Sequence, residues 1–361
     1  MAKVFRQGQA IVDEGTFYVE RQVDGQLFER LKNGEFTFVM APRQVGKSSL
    51  LRRTARRLEA EGIKVVTIDL QAIGIGTDDN KEVAEPRWYQ SFASAMARPL
   101  GLDQERKAFF ADRAELTPVA AWTAFLRDLL LERMSAPIVL MIDEADRTRM
   151  LPFDCNEFFG ALRAIRNSRS TDAAWRRLTI CLCGVTAPRD LITDPTAIPV
   201  DVPAGLLRVP DLSRAELDAF VEGLKGIPGD PNRLLDAVDV WTNGQPAMTQ
   251  KLCAALLTTA DEMRSEQAGS EPDLSEQQFV DRVVQQVFLG EGRRNDALLM
   301  DVEHRFPLGG LPDKAIAVLS LYQIVKAKDP PVPVRPEDPI QLRLVLSGLA
   351  AACGGSLRFV T

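Results

Sequence analysis

The chain has 361 residues, of which 45% are hydrophobic and 26% are charged, and its net charge is −6 with a pI near 5.2. This length exceeds that of one ordinary domain, and the acidic balance excludes a general electrostatic attraction to nucleic acid or to an anionic membrane surface. Five cysteines and a single histidine argue against a disulfide scaffold and against a zinc site. No apolar run approaches the ~18 residues that a membrane span needs, and the N-terminus lacks a signal-peptide core, so we expect a cytoplasmic protein.

The first part of the chain alternates predicted strands and helices. The strands are short apolar runs with β-branched residues, and the segments between them have helical periodicity. This alternation predicts a mainly parallel sheet covered by helices on both faces. The predicted strands are 35–40, 63–70, 137–143, 177–185 and 205–209, and the predicted helices are 48–62, 88–100, 117–134 and 153–167, with a Gly/Asp-rich loop at 71–86.

After the last of these strands the pattern becomes helical. The segment "DLSRAELDAFVEGL" contains Ser213 followed three residues later by Glu216, which is the pattern of a helix start with a capping box. A polar segment at 264–276 predicts a linker or loop. The C-terminal region combines helical stretches with a proline-rich segment at 328–339, and it ends in a hairpin-like pattern at 348–360.

A phosphate-binding pattern lies between the first predicted strand and the helix after it. The string "APRQVGKS" matches G-x-x-x-x-G-K-[ST], except that Ala41 replaces the first glycine, where alanine suffices if its φ is negative. In such a loop the backbone N–H groups surround the phosphates. The lysine reaches the β- and γ-phosphates and the next hydroxyl binds Mg²⁺, so these roles fall to Lys47 and Ser48. The alternative is an ordinary helix start capped by a lysine. The residues predicted to bind the nucleotide here are Ala41, Pro42, Arg43, Gln44, Val45, Gly46, Lys47, Ser48 and Ser49.

A second motif, "PIVLMIDEAD", is an apolar strand that ends in Asp143 and Glu144. An aspartate at such a strand end holds Mg²⁺ with its water shell, and the adjacent glutamate orients or deprotonates the attacking water. At least one predicted strand lies between the two motifs, which favours P-loop ATPases whose glutamate-bearing strand lies beside the P-loop strand. The alternative is an acidic cap of the next helix. The string D-E-A-D alone does not indicate a DEAD-box helicase, because the other motifs of that class are not in the sequence.

Four segments together resemble the AAA-like domain of the STAND class of signal-transduction ATPases, from about residue 17 onward. They are "FYVERQVDGQLFERLKNGEFTFVMAPRQVGKSSLLRR", "IDEAD", "GVTAPRDLITDPTAIPV" and "WTNGQPAMTQKLC". The resemblance implies an ATPase core, a helical lid and a winged-helix domain, often followed by sensor repeats. It also implies a switch, in which ADP holds a closed form and ATP releases an open form that forms oligomers.

The predicted fold class is therefore α/β. We expect a P-loop NTPase with a parallel sheet and helices on both faces, followed by a helical lid and a C-terminal winged-helix domain. The expected boundaries are 1–16 for an N-terminal extension, 17–209 for the ATPase core, 210–262 for the lid, 263–290 for a linker and helix, and 291–361 for the winged-helix-like domain.

The resemblance also implies roles for residues outside the two motifs. Val19 and Arg21 would lie near the adenine base, with a plain helix-start segment as the alternative. Thr186, with Arg189 as a second candidate, would sense the γ-phosphate and act with Glu144 in catalysis. Pro246, in "GQP", would pack against the nucleotide, and the alternative is a loop that opens the next helix. For the arginine-finger candidates Arg163, Arg166 and Arg169, we favour a solvated helix face.

The function expected from these residues is a slowly hydrolysing, ATP-binding switch that carries ATP or ADP with Mg²⁺ and self-associates in the ATP state. The sequence stops at "GGSLRFVT", where relatives begin a motif that touches the nucleotide. We expect either a piece of a longer protein, whose sensor region or protein partner lies elsewhere, or a weakened closed form.

Two rival functions stay open. One is a DNA-handling AAA-type ATPase with a winged helix; acidic and basic residues nearly balance over 290–361, so we expect no nucleic-acid partner. The other is a non-hydrolysing scaffold that binds a nucleotide. Glu144 argues against this function, whereas the replacement of the first glycine by Ala41 is compatible with it.

Overall fold

The structure is a computed structural model of the chain. It describes residues 5, 18–42, 44–74, 80–185, 188–192, 204–265, 274–289, 313–327, 331–335, 338–346, 349–353 and 355–359. The only histidine, His304, and the larger part of the predicted linker lie outside these ranges. None of the described helices is long and apolar enough to span a membrane.

The chain divides into two compact units. The sheet unit consists of Gln22–Ala41 and Leu50–Arg208. The lid unit consists of Met1–Arg21, Pro42–Ser49 and Val209–Thr361. The phosphate-binding loop therefore groups with the C-terminal helices, although the strand before it belongs to the sheet unit.

The sheet unit contains a five-stranded parallel sheet in the order β2-β3-β4-β1-β5. Side chains of a strand alternate between the two faces of a sheet, yet β4 is buried at every position and β3 at all but its last. Both faces of the sheet centre are therefore covered, as expected for a parallel sheet between helices. The strands are β1 Thr37–Met40, β2 Lys64–Asp69, β3 Ile138–Asp143, β4 Leu178–Gly184 and β5 Leu206–Arg208.

The strand order corrects one expectation. We predicted that the strand carrying Asp143 and Glu144 lies beside the P-loop strand, but β4 lies between β3 and β1. Chain order alone does not decide which parallel strands pair, because each crossover through a helix can return to either side of a strand already in place. The order is fixed only when the apolar faces pack.

Eight α-helices are described between Gln22 and Leu191. The predicted helix at 88–100 begins earlier, at Lys81, and the predicted loop through residue 86 is therefore wrong. The side chain of Asn80 accepts a hydrogen bond from the Glu82 amide at 2.9 Å and caps the helix, while Pro86 lies inside it. The helices are α1 Gln22–Lys32, α2 Lys47–Ala60, α3 Lys81–Ala97, α4 Asp103–Ala111, α5 Pro118–Ala124, α6 Leu131–Arg133, α7 Asn156–Ser168 and α8 Pro188–Leu191.

An aromatic cluster joins three of these helices. Trp88 and Phe92 of α3 pack on Phe158 of α7 with ring centroids 5.1 and 5.6 Å apart, and Phe92 lies 5.5 Å from Trp122 of α5. Trp122 and Phe158 are fully buried. Truncation of one such aromatic residue to alanine costs about 3–5 kcal/mol in a packed core, so this cluster fixes the helices beside the sheet.

The lid unit has its own apolar core among α9 Arg214–Leu217, α10 Val221–Leu224, α11 Pro231–Thr242, α12 Pro246–Ser265 and α13 Glu276–Val283. The predicted capping box is confirmed, with Ser213 and Glu216 bonding each other's backbone amides. Phe5 stacks on Phe220 with ring centroids 5.8 Å apart and so contributes to this core. The indole of Trp241 donates to Asp281 at 2.7 Å and joins α11 to α13.

The C-terminal part of the lid unit contains α14 Asp313–Ala327, α15 Pro339–Leu346 and the antiparallel strands β6 Ala350–Cys353 and β7 Ser356–Phe359. The predicted terminal hairpin is confirmed. A small core, including Val318, Leu344 and Leu357, joins the helices to the hairpin. This order of helices followed by a hairpin is compatible with the predicted winged helix, and the five domain boundaries stay a prediction.

Candidate functional site

The first residue of the phosphate-binding loop, Ala41, follows β1 with an unstrained backbone. The amide of Ala41 donates to the carbonyl of Gly184 at 3.2 Å, which continues the pairing of β1 with β4. Positive φ values in the loop occur at Gln44 (62°) and at Gly46 (92°), and Ala41 is not one of these residues. The backbone therefore accepts alanine where the pattern has its first glycine, whereas at residue 46 a side chain would be strained.

Lys47 is the first residue of α2, and it is only 6% exposed. Among the described residues, no atom accepts a hydrogen bond from its Nζ. A buried ammonium is costly unless an acceptor or a negative charge lies nearby. The start of α2 carries no acidic residue, and a helix N-terminus favours an anion. These groups fit a phosphate. Ser48 is exposed and Ser49 is buried in the same turn, and Pro42 is half-buried; Arg43 lies outside the described residues.

Arg21 lies against the backbone of this loop, within the lid unit. Its side chain is 5% exposed, and Nη1 donates to the carbonyls of Val45 and Pro210, each at 3.0 Å. A Cβ on Gly46 would lie 3.3 Å from Nη2, so glycine at residue 46 also gives the guanidinium room. Val19 is partly buried against the lid core. The predicted position of Val19 and Arg21 beside the base stays a prediction.

Asp143 and Glu144 stand at the carboxyl end of β3, where the chain turns into a 3-10 helix, Ala145–Met150. The amide of Glu144 donates to Oδ1 of Asp143 at 2.9 Å. Glu144 has φ 55° and ψ 41°, a left-handed conformation that costs a non-glycine residue about 1–2 kcal/mol. Such backbone strain clusters at functional sites. Within the described part of the chain, the Glu144 carboxylate does not cap the helix that follows, so the alternative of an acidic helix cap finds no support.

The turn after Glu144 is tied to the end of β4. Oδ1 of Asp146 accepts from the amide of Val185 at 3.1 Å. A Cβ on Gly184 would lie 3.0 Å from the same oxygen, so a side chain there would crowd this contact. The predicted γ-phosphate sensor Thr186 is next in the chain but lies outside the described residues. Arg189 lies in α8, and its side chain also lies outside them.

The "GQP" segment joins α11 to α12 in the lid unit. Asn243 and Gly244 turn the chain with φ values of 46° and 74°. Oε1 of Gln245 accepts from the amide of Met248 at 2.6 Å, which caps α12, and Pro246 is the first residue of that helix. Pro246 therefore opens a helix, as the alternative stated, and its packing against a nucleotide stays a prediction.

One arginine-finger candidate has a structural role. Arg169 donates to the carbonyls of Gly34 and Arg176 and lies 5.3 Å from the Phe36 ring centroid. Burial lowers the pKa of its guanidinium. Arg169 is half-buried, so its guanidinium is only partly solvated. Arg163 and Arg166 are half-buried on α7.

Sequence reasoning missed three groups that hold the segments carrying the predicted residues. They are Asp146, Gln245 and the backbone of residues 210–212. Asp146 is the last letter of the D-E-A-D string, which could have drawn attention to it. The backbone contacts leave no sequence signal, because every residue carries a carbonyl and every residue except proline carries an amide.

A protein family and a curated protein match this chain in sequence. The model of the AAA-like domain family matches residues 6–200. An uncharacterised WD repeat-containing protein of Synechocystis sp. (strain ATCC 27184 / PCC 6803 / Kazusa) is 30% identical over 255 residues, which cover 69% of this chain. The aligned region spans only 21% of that relative.

Solved structures share the architecture. The ORC2 protein of Aeropyrum pernix, in ADPNP-ADP complexes, has a TM-score of 0.50 and 14% identity, over 96% of this chain and 92% of that one. A Walker-type ATPase of Pyrococcus abyssi has a TM-score of 0.49 and 16% identity, over 99% of this chain and 96% of that one. At 14% identity only the fold is comparable with that of the ORC2 protein, and that fold is the P-loop ATPase fold. The chain belongs to the AAA-like domain family.

Proposed function

We propose that the protein binds ATP and ADP, hydrolyses ATP slowly, and acts as a nucleotide-dependent switch of the STAND class. The observation that carries this proposal is the buried Nζ of Lys47, which has no hydrogen-bond acceptor among the described residues. Lys47 directly follows Gly46, whose φ of 92° is a conformation that glycine adopts without strain. A phosphate would supply the acceptor and the negative charge that this ammonium needs.

The proposed nucleotide contacts are those of the loop and of the segment before it. Backbone amides of residues 44–49 would bind the phosphates, and Lys47 would reach the β- and γ-phosphates. Val19 and Arg21 are the proposed residues on the adenine side, and Pro246 is the proposed lid residue.

Hydrolysis is proposed to depend on Glu144, which would deprotonate or orient the attacking water. Mg²⁺, when bound, would neutralise charge on the phosphates. Ser48 and Asp143 are its proposed ligands, since a hydroxyl and a carboxylate are the oxygen ligands that this ion prefers. The described residues contain no group of three or more His, Cys, Asp and Glu side chains arranged to bind a metal, so phosphate and water oxygens would complete the coordination. Thr186 and Arg189 are the proposed γ-phosphate sensors.

The switch proposal draws support from the Synechocystis relative. That protein is named for WD repeats, and this chain spans about a fifth of its length. We propose that a sensor region or a protein partner acts on this ATPase, that the ATP state self-associates in the cytoplasm, and that the C-terminal helices and hairpin form a winged helix.

The test of nucleotide binding is the melting temperature with and without Mg-ADP or Mg-ATP. A ligand at 100 times its Kd stabilises the folded state by about 2.7 kcal/mol. Lys47→Ala should abolish the shift, whereas Lys107→Ala, at an exposed lysine of α4, should keep it. An equal shift in Lys47→Ala would place the phosphates elsewhere.

The test of the switch is small-angle scattering. A non-hydrolysable ATP analogue should give a larger radius or a higher oligomer than ADP, because a ligand shifts an equilibrium only by its differential affinity for the two forms. Pro246→Ala should reduce the contrast and keep ATP binding. Identical profiles in the two nucleotides, for a chain that includes any sensor region, would leave a plain ATPase or a scaffold.

A further inference from the structure

We infer that Arg21 is a positioning residue that couples the conformation of the P-loop to the "GQP" loop of the lid. The coupling runs through the backbone of residues 210–212, and all of its members belong to the lid unit. The inference rests on the proposed nucleotide binding and deepens it, because it assigns the route by which an occupied loop would act on the lid.

The first step joins the P-loop to residue 210. One nitrogen of Arg21, Nη1, donates to the carbonyls of Val45 and Pro210, both at 3.0 Å. The Val45 carbonyl and the Gly46 N–H belong to one rigid peptide plane, in which the two groups point in opposite directions. A phosphate oxygen that accepts from the Gly46 amide therefore also fixes the carbonyl to which Arg21 donates.

The second step joins residue 212 to the lid loop. The amide of Leu212 donates to the carbonyl of Gly244 at 2.9 Å. The approach is so close that a Cβ on Gly244 would lie 1.9 Å from the Leu212 carbonyl oxygen. The next residues, Gln245 and Pro246, cap and begin α12. A shift of the 210–212 backbone is thus transmitted to the first turn of this helix.

The charge of Asp211 supports the same arrangement. Burial raises the pKa of its carboxyl to about 6, while the nearby Arg21 charge lowers it. Oδ1 is buried and has no hydrogen-bond partner in the described part of the chain. The carboxylate and the guanidinium therefore lie close enough to interact, and the pair favours keeping residue 211 next to Arg21.

The experiment is hydrogen–deuterium exchange of the full chain with and without saturating Mg-ADP. It compares a P-loop peptide, residues 41–50, with a lid peptide, residues 242–252. In the wild type, ADP should slow exchange in both peptides. In Arg21→Ala, the affinity for ADP should fall about tenfold, as for loss of a charged hydrogen bond. At saturation the P-loop peptide should still be protected, and the lid peptide should lose its ADP-induced protection.

Arg30→Ala is the matched control. Arg30 also uses Nη1 to donate to two carbonyls, those of Ala204 and Leu206, at 3.0 and 3.4 Å. Its removal should leave the protection of both peptides as in the wild type. Arg21→Gln, which keeps a shorter amide donor, serves as the milder variant if Arg21→Ala unfolds, and its lid peptide should lose part of its protection.

The other outcomes separate the hypotheses. Wild-type lid protection in both Arg21 variants would overturn the coupling role. Loss of protection in both peptides at saturating ADP would show that Arg21 stabilises the P-loop itself and does not act selectively on the lid, which would also overturn the coupling role. If the wild type shows no protection of the P-loop peptide, the proposed nucleotide binding itself fails, and Lys47→Ala would then equal the wild type.

Discussion

Oδ1 of Asp146 accepts a hydrogen bond from the amide of Val185 at 3.1 Å, and Gly184 leaves just enough room for that oxygen. This contact ties the turn that carries Glu144 to the end of β4. The amide of Glu144 is held in turn by Oδ1 of Asp143. The strained backbone of the proposed base is thus supported from both sides.

The first prediction concerns this support. Asp146→Ala should lower ATP turnover about tenfold, since small misplacements of a catalytic group cost this much or more. The Kd for ATP should stay within about twofold, because Asp146 is not a proposed ligand. Asp146→Asn keeps an oxygen acceptor and should retain turnover. Equal turnover in the alanine variant and the wild type, measured by phosphate release, would show that the contact does not position the base.

The second prediction concerns Glu144 itself. Glu144→Gln should bind ATP and lose hydrolysis by about 100-fold or more, the usual contribution of a general base. Phosphate release under single-turnover conditions measures the loss, and Glu157→Gln, on the exposed start of α7, is the control. If wild type and Glu144→Gln release phosphate at the same rate, the assignment of the base is wrong.

The third prediction concerns pH. The folded-state pKa of Asp211, about 6, is above its ordinary value of 3.8. The folded state therefore binds this proton more tightly than the unfolded state, and the carboxyl destabilises the fold as pH rises from about 4 to above 6. Asp211→Asn removes this cost. Its free energy of unfolding should match the wild type near pH 4 and exceed it near pH 7.5 by up to about 3 kcal/mol. A constant difference across this range in urea unfolding would contradict the assignment.

The fourth prediction concerns the lid loop. Gly244→Ala should destabilise the protein by several kcal/mol, because the new Cβ would meet the Leu212 carbonyl and φ is 74°. Gly160→Ala is the matched control, since a Cβ at this site in α7 meets open space. It should stabilise the helix by about 0.5–1 kcal/mol. Thermal unfolding of both variants decides the comparison, and a neutral Gly244→Ala would show that the Leu212 contact is dispensable.

The fifth prediction concerns nucleic acid. With a net charge of −6, we expect no tight binding to duplex DNA at physiological salt. A gel-shift assay with random 30-base-pair duplexes is the test. A nanomolar midpoint would favour the DNA-handling function over the switch.

Local sequence patterns were sufficient to predict much of the fold. Alternating apolar runs and helical segments predicted the parallel sheet, and a Ser-x-x-Glu spacing predicted the capping box at Ser213. The P-loop string predicted a helix directly after the loop, from residue 48, and α2 begins one residue earlier, at Lys47. It also allowed alanine at residue 41 if φ there is not positive, and the backbone meets this condition. These features depend on neighbours within one or two turns, and for that reason a single sequence reveals them.

Tertiary structure alone decided the rest. The insertion of β4 between β3 and β1, the stacking of Phe5 on Phe220 and the hydrogen bond from Arg169 to the Gly34 carbonyl join residues far apart in the chain. The bonds from Arg21 to the carbonyls of Val45 and Pro210 do the same. Backbone carbonyls are identical at every position, so no residue type marks the ones that accept. Such contacts form only after the apolar cores have packed. Each buried polar group then forms a hydrogen bond with a partner that the packing has brought within reach.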